Sequence, residues 1–256
     1  MKKKVLDLKV VAKKCINDHF VLLKLTCDTP LCGILPGQFV EIRIEGNAPT
    51  FLRRPISVNF VDEVNNQLWL LIAVVGKGTK WLSSVHTGEK INCILPLGNG
   101  FTMPNDPSEE ILLIGGGVGV APLLYFGKKL KDFGAIPTFL LGAKTASDLL
   151  EIDLFKTLGN VYVTTEDGSL GETGYVTNHS VLHTHHFDKI ATCGPKPMMK
   201  AVANYAKRVG LACEASLENM MACGLGACLC CVEKTSKGNL CVCKDGPVFD
   251  TNNLLW

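Results

Sequence analysis

Over the first hundred residues the apolar positions fall into short runs, at 5–12, 20–26, 39–44, 67–74 and 90–94, each separated from the next by Gly, Pro, Asn or Asp. Runs of this length between turn residues predict the strands of an antiparallel barrel or sandwich. The polar stretch 104–110 then marks a boundary, and the pattern changes. Strands are predicted at 111–114, 138–141, 161–164 and 189–192, with helices at 121–131, 148–158 and 197–209, and this alternation reads as a parallel α/β domain. Residues 213–256 are too few to build a large core, so a bound cofactor is expected to hold them together. The expected fold class is multidomain β plus α/β: an antiparallel β-barrel over 1–103, a parallel α/β nucleotide-binding domain over 104–212, and a small C-terminal domain over 213–256.

Charge narrows the function only by exclusion. With 26 basic and 24 acidic residues spread along 256, no basic face for nucleic acid is expected. The longest uncharged stretch, 111–127, holds five glycines and a proline, which suits a strand, a turn and a helix start rather than a membrane span. Lys2, Lys3 and Lys4 are followed by Asp7, Lys9, Lys13 and Lys14 with no apolar core between, so no secretory leader is expected and the chain reads as soluble and cytoplasmic.

The cysteines carry the first chemistry. Six are scattered, whereas Cys223, Cys228, Cys230, Cys231, Cys241 and Cys243 crowd into 21 residues. Without a leader, such a block points to ligation or redox chemistry rather than disulfides. Cys223-x4-Cys228-x2-Cys231, with Cys243 further on, has the ligand spacing of plant-type [2Fe–2S] proteins. Gly224 and Gly226 lie in the same loop, where small residues let backbone N–H groups approach sulfur. A structural zinc site is the competing reading, although its cysteine knuckles usually come as paired x2 spacings. Cys230 and Cys241 are left over in this assignment, and ligand swapping to them stays open.

Four further signals concern nucleotides. Arg53 and Arg54 before Pro55, Ile56 and Ser57 bring a guanidinium suited to a pyrophosphate and a hydroxyl suited to a flavin ring. Gly76-Lys77-Gly78-Thr79-Lys80 follows an apolar strand and can open a helix towards a phosphate, or be an ordinary glycine turn. Gly115-Gly116-Gly117-Val118-Gly119 follows a buried strand and precedes a helix, which suits close backbone approach to a nucleotide, yet it departs from the Gly-x-Gly-x-x-Gly dehydrogenase pattern. Cys193-Gly194-Pro195 ends a later strand, where open α/β sheets place ligands. His179, His183, His185 and His186 lack a nearby co-ligand in sequence and read as a solvated loop.

In this order the motifs resemble the ferredoxin-NAD(P)H reductase superfamily, and within it the electron-transfer subunits of class 1B dihydroorotate dehydrogenases. Pro96-Leu97-Gly98-Asn99-Gly100-Phe101, Asp167-Gly168-Ser169 and Cys243-Lys244-Asp245-Gly246-Pro247-Val248-Phe249 add to the likeness, which covers nearly the whole chain. The resemblance implies an FAD-binding barrel, an NAD-binding domain and a C-terminal cluster domain. It implies FAD on Arg54, Pro55, Ile56, Ser57, Ile72, Ala73, Val74, Gly78 and Thr79. It also implies NAD, as an exchangeable substrate, on Gly115, Gly116, Gly117, Gly119, Cys193, Gly194 and Pro195, and the cluster on Cys223, Cys228, Cys231 and Cys243. Where relatives tend to place tyrosine or arginine, this chain has Ala73-Val74, so backbone rather than side chain would meet the flavin there.

It further implies an FMN-containing catalytic partner that oxidises dihydroorotate to orotate, in a heterotetramer of two subunit pairs serving pyrimidine synthesis, with no catalytic proton-transfer residue in this chain. A reductase subunit for ferredoxin or a sulfur acceptor has the same domain order, and a zinc-stabilised interaction module is the non-enzymatic rival. Lys144 could favour NADP and Asp148 would oppose it.

Overall fold

The structure is a computed structural model, and it describes residues 2–45 and 50–256. The chain separates into two compact units. The first takes residues 1–100, 218–233 and 239–247, and the second takes 101–217, 234–238 and 248–256. The C-terminal residues expected as one small domain are thus shared between the two units.

The first unit is built on strands β1 (Lys4–Asn17), β2 (Phe20–Thr26), β3 (Phe39–Ile42), β4 (Arg54–Ser57), β5 (Phe60–Asp62), β6 (Gln67–Ala73) and β7 (Lys90–Leu97), with helix α1 (Lys77–Ser84) after β6. All pair antiparallel in the order β4-β3-β7-β1-β2-β6-β5. The connectivity forces this sheet to curl. β4 and β5 are its opposite edges, yet only Val58 and Asn59 separate them. A flat sheet of this width would hold its edges about 29 Å apart, whereas three peptide steps reach only about 10 Å. The interior is filled by Leu8, Val10, Leu23, Leu25, Leu68 and Leu70, all with no exposed surface.

In the second unit β8 (Ile111–Gly116), helix α2 (Ala121–Asp132), β9 (Thr138–Ala143), α3 (Ile152–Leu158), β10 (Asn160–Thr165), β11 (Glu172–Thr173), α4 (Val181–Thr184), β12 (Lys189–Cys193), α5 (Lys196–Val209) and β13 (Ala212–Ser216) follow one another. The order β11-β10-β9-β8-β12-β13 is parallel throughout. The chain walks outward from β8 to β11, then returns to the other side of β8 as β12. The loops after β8 and β12 therefore diverge over a switch point, the place where open parallel sheets bind ligands. Every residue of β8 is buried, which suits a central parallel strand covered on both faces.

One expectation is corrected here. The predicted helix 148–158 is only α3, because Glu151 takes a left-handed φ of 54° and separates it from a single turn at Ala146–Asp148. The C-terminal segment also contributes a strand to the nucleotide-binding sheet. β14 (Val232–Thr235) and β15 (Gly238–Cys241) form a two-stranded sheet, and the short helix α6 (Val242–Asp245) follows. Then β16 (Val248–Asp250) pairs antiparallel with β13.

Candidate cofactor sites

The four cysteines singled out by spacing all fall in the first unit. Cys231 and Cys243 are buried, Cys223 is half-buried and Cys228 is exposed. Backbone donors face the sulfurs: Leu225 N–H lies 3.3 Å from Cys223 Sγ, Gly226 N–H 3.1 Å from Cys243 Sγ, and Cys243 N–H 3.4 Å from Cys231 Sγ. Gly224 and Gly226 hold φ of 64° and 84°, conformations natural to glycine, and a Cβ on Gly226 would meet the Lys244 side chain at 2.8 Å. Leu229 holds φ of 60° without that freedom. A left-handed conformation there costs about 1–2 kcal/mol, a strain that ligation of the flanking cysteines would hold in place.

Two thiols show what a cluster would have to meet. The Leu225 amide, with burial working against it and further N–H groups helping, brings the Cys223 thiol down to about 6. Burial first, and the contact with Cys231 second, push Cys243 up to about 12. A thiolate-binding metal group supplies the missing positive charge for such a buried sulfur. The donor set therefore fits an iron–sulfur cluster. Among the described residues no three histidine, cysteine or carboxylate groups converge on a point that one ion could fill. Of the spare cysteines, Cys230 is exposed, and Cys241 is buried with its N–H given to Asp245 Oδ2 at 2.7 Å.

The Pro96–Phe101 motif turns out to clamp this site. Asn99 N–H donates to Gly246 O at 2.6 Å, and its side-chain amide donates to Lys244 O and Asp245 O. Gln38 donates to Gly98 O at 2.7 Å, and a Cβ on Gly98 would lie 2.5 Å from the Pro247 ring. The segment just after the fourth cysteine is thereby tied to the barrel, a contact between residues 145 apart that no local signal could disclose.

In the flavin region the adjacent arginines part company. Arg53 turns into the sheet, donating to Glu41 O, Asn92 O and Asn92 Oδ1, and Asn92 in turn donates to Asp7. Arg54 instead lies over Gly78, where a Cβ would stand 2.6 Å from its Nε. The structure thus brings Arg54 to the start of α1, as a phosphate anchor requires, and leaves a cradle that a side chain at 78 would fill. Pro55, Ile56, Ser57, Ala73 and Val74 are half-buried and Ile72 is buried. The hydroxyl of Thr79 is already committed, accepting from Val75 N–H and Gly76 N–H at 3.0 Å and donating to Gly76 O. It shapes the turn, which leaves Arg54 as the group at the start of α1 that could meet a phosphate. These residues fit FAD.

In the second unit the glycine loops from β8 and β12 touch through bare backbone. A Cβ on Gly119 would sit 2.4 Å from Gly194 Cα, and one on Gly194 would sit 3.0 Å from Gly116 O. Gly116 meets Met198, Pro195 begins the turn into α5, and Cys193 is fully buried beneath the loop. Gly115, Gly116, Gly117, Gly119, Cys193, Gly194 and Pro195 are thus brought together at the switch point. Lys144 and Asp148 both lie in the loop after β9, which is tied to the loop after β10 through Asp167 N–H to Lys144 O and Ala146 N–H to Ser169 Oγ.

The histidine-rich connection is not uniformly solvated as expected. His183, His185 and His186 are exposed, but His179 is buried, accepting Val181 N–H on Nδ1 at 3.0 Å and facing Glu172 through Nε2 at 3.5 Å. It is a packing histidine that joins β11 to α4.

Comparisons with known proteins show the family and the domains. Residues 218–255 match the iron–sulfur cluster binding domain of dihydroorotate dehydrogenase B, and 113–204 match the oxidoreductase NAD-binding domain. The chain is 39% identical over 226 residues to the dihydroorotate dehydrogenase B (NAD(+)) electron transfer subunit of Shouchella clausii, covering 86% of each. It is 38% identical over 251 residues to that of Lysinibacillus sphaericus, covering 94% of this chain and 95% of the relative. Among solved structures, an NADH-dependent reduced ferredoxin-NADP oxidoreductase superposes with a TM-score of 0.88 at 31% identity, over 97% of this chain and 90% of the other. A ferredoxin NADP+ reductase from Neisseria gonorrhoeae with bound FAD and NADP shares the fold at 18% identity and a TM-score of 0.68. The chain belongs to the family of dihydroorotate dehydrogenase B electron transfer subunits.

Proposed function

We propose that this chain passes electrons between NAD and an FMN-containing partner that oxidises dihydroorotate, in the service of pyrimidine synthesis. The observation that carries the reading is the cysteine loop of the first unit, whose backbone N–H groups already face three sulfurs of a plant-type ligand set. When bound, NAD and FAD supply hydride chemistry and the cluster supplies single-electron transfer. The chain's own residues position these groups. Arg54, which lies over Gly78, would hold the pyrophosphate, and Ser57 would contribute to the flavin site. The glycine loops at 115–119 and 193–195 would admit the dinucleotide backbone, and the buried Cys193 would support them from below. Direct hydride transfer needs no protein base, so no residue here takes a proton from dihydroorotate; that step belongs to the partner.

The partner's docking surface is the rim of the cysteine loop, where Met220, Leu225 and Leu229 are exposed around the exposed Cys228. Single surface apolar residues are ordinary, but a group of them beside an electron-transfer centre suits a protein partner. Two such pairs make the assembly. Among the described residues no helix is long and apolar enough to cross a membrane, and a block of six cysteines within 21 residues suits ligation in a reducing cytoplasm.

The test is anaerobic purification with the partner, a count of iron, sulfide and flavin, and assay of NAD reduction by dihydroorotate. About two iron and two sulfide per chain, FAD and coupled turnover are expected. A colourless chain containing zinc would overturn the reading. The superposition on the ferredoxin-NADP oxidoreductase favours one second reading, delivery to a ferredoxin-type acceptor; full cofactors with turnover on ferredoxin and none on dihydroorotate would select it.

A further inference from the structure

Strand β3 carries a charged residue in a run that is otherwise apolar. Glu41 stands among Phe39, Val40 and Ile42 with no exposed surface. Among the described residues neither of its carboxyl oxygens has a hydrogen-bond partner. Two cations act on it from nearby without hydrogen-bonding to its carboxyl: Arg53 spends its guanidinium on the Glu41 carbonyl and on Asn92, and Arg54 donates to the Leu52 and Arg53 carbonyls.

What the carboxyl does touch is the cysteine loop. A Cβ on Gly224, the residue after Cys223, would lie 2.6 Å from Glu41 Cγ and 2.9 Å from Oε1. The left-handed glycine is therefore the seat on which the Glu41 side chain rests. A buried carboxylate without a partner is costly. A cluster of two irons, two sulfides and four thiolates beside it would still carry net negative charge and raise that cost further. The inexpensive state is the neutral acid, which carries one O–H donor, and the acceptors that the loop brings with it are sulfurs.

We infer that Glu41 is a positioning residue for the cluster, a neutral carboxylic acid that braces the loop at Gly224 and donates a hydrogen bond to its sulfur-bearing face, raising the reduction potential. This rests on the cluster reading of the previous subsection. A donor to sulfur stabilises the added electron, whereas a carboxylate at the same place would oppose it.

The experiment compares the full chain with Glu41→Gln and Glu41→Met by iron and sulfide content and by redox titration of the reduced-cluster EPR signal. Gln keeps a neutral N–H donor, so its midpoint stays with the parent. Met fills similar space without a donor, so its midpoint falls, by about 59 mV for each tenfold loss in the one-electron equilibrium. A rise in the Gln midpoint means an ionised carboxylate and overturns the inference, and a Met midpoint equal to the parent at full iron content reduces Glu41 to filler and does the same. Should Met fail to hold the cluster, redox-difference infrared spectra of the parent and Gln proteins decide. The parent must show the C=O stretch of a protonated carboxylic acid that moves on reduction and vanishes in Gln, and its absence overturns the inference. A parent with no iron or sulfide overturns the cluster reading itself, and this inference with it.

Discussion

Replacing Gly119 with alanine tests the nucleotide-binding geometry most directly. An added Cβ would stand 2.4 Å from Gly194 Cα, 2.5 Å from Gly194 N and 2.6 Å from the Cys193 carbonyl carbon. These are backbone atoms that no rotamer change can move aside. Ordinary contact begins at 3.4 Å, so the loops after β8 and β12 must part by about 1 Å. β12 cannot retreat as a whole, because it is hydrogen-bonded between β8 and β13. The displacement therefore falls on the loops where the nicotinamide end is to be held. Misplacement of this size costs roughly a hundredfold in rate, or about 2.7 kcal/mol of transition-state stabilisation.

Gly117 is the matching control. It has open space around it but a φ of 55°, so alanine there meets strain without a clash, about 1–2 kcal/mol. The assay is stopped-flow reduction of the bound flavin by NADH. Gly119→Ala is expected to lower kcat/KM about a hundredfold, with Gly117→Ala milder and iron and flavin content unchanged in both. A Gly119→Ala protein that folds and is reduced as fast as the parent would refute the reasoning, as would a Gly117→Ala protein that is the worse of the two.

Alanine at Gly78 should push Arg54 off its seat and weaken FAD retention about ten- to hundredfold, the value of one charged hydrogen bond; flavin release measured by fluorescence in Gly78→Ala, Arg54→Ala and the double variant should show no added loss in the double. Cys243→Ala should lose the cluster while Cys230→Ser keeps about two iron per chain, and equal iron in the two variants would break the ligand assignment. Burial, opposed by Glu172, holds the His179 imidazole below its ordinary 6.5. Below pH 6.5 the unfolded chain therefore binds more protons than the folded one, and stability should fall as pH is lowered through that value, until the folded imidazole protonates too. Thermal melts of the parent against His179→Gln between about pH 7 and 5 should show a steeper loss in the parent, and parallel curves would disprove it.

The cysteine spacing alone marked the candidate ligand set and the cluster-binding domain, because a rigid inorganic group would impose its geometry on a short loop and leave it written in local intervals. The strand-to-helix glycine turn at 115–119 was legible for the same reason: Gly is required where two backbones meet within a few residues of a strand end. The alternation of strands and helices, and the short runs before it, likewise gave the two sheet types, since periodicity is a local property.

Other features depended on long-range closure. The splitting of Arg53 from Arg54 is decided by Asn92 and Gly78, and the commitment of Thr79 by the turn it closes. The clamp of Asn99 on residues 244–246 pairs segments about 145 residues apart. The passage of β16 into the nucleotide-binding sheet is fixed by the edge that β13 offers. Glu41 reads in sequence as an ordinary polar position on a strand; only the fold shows that both faces of that strand are covered and that its carboxyl meets Gly224. Local sequence determines which residues can bind iron or a nucleotide, while burial and partner choice depend on contacts between distant segments, whose energies no window of neighbouring residues contains.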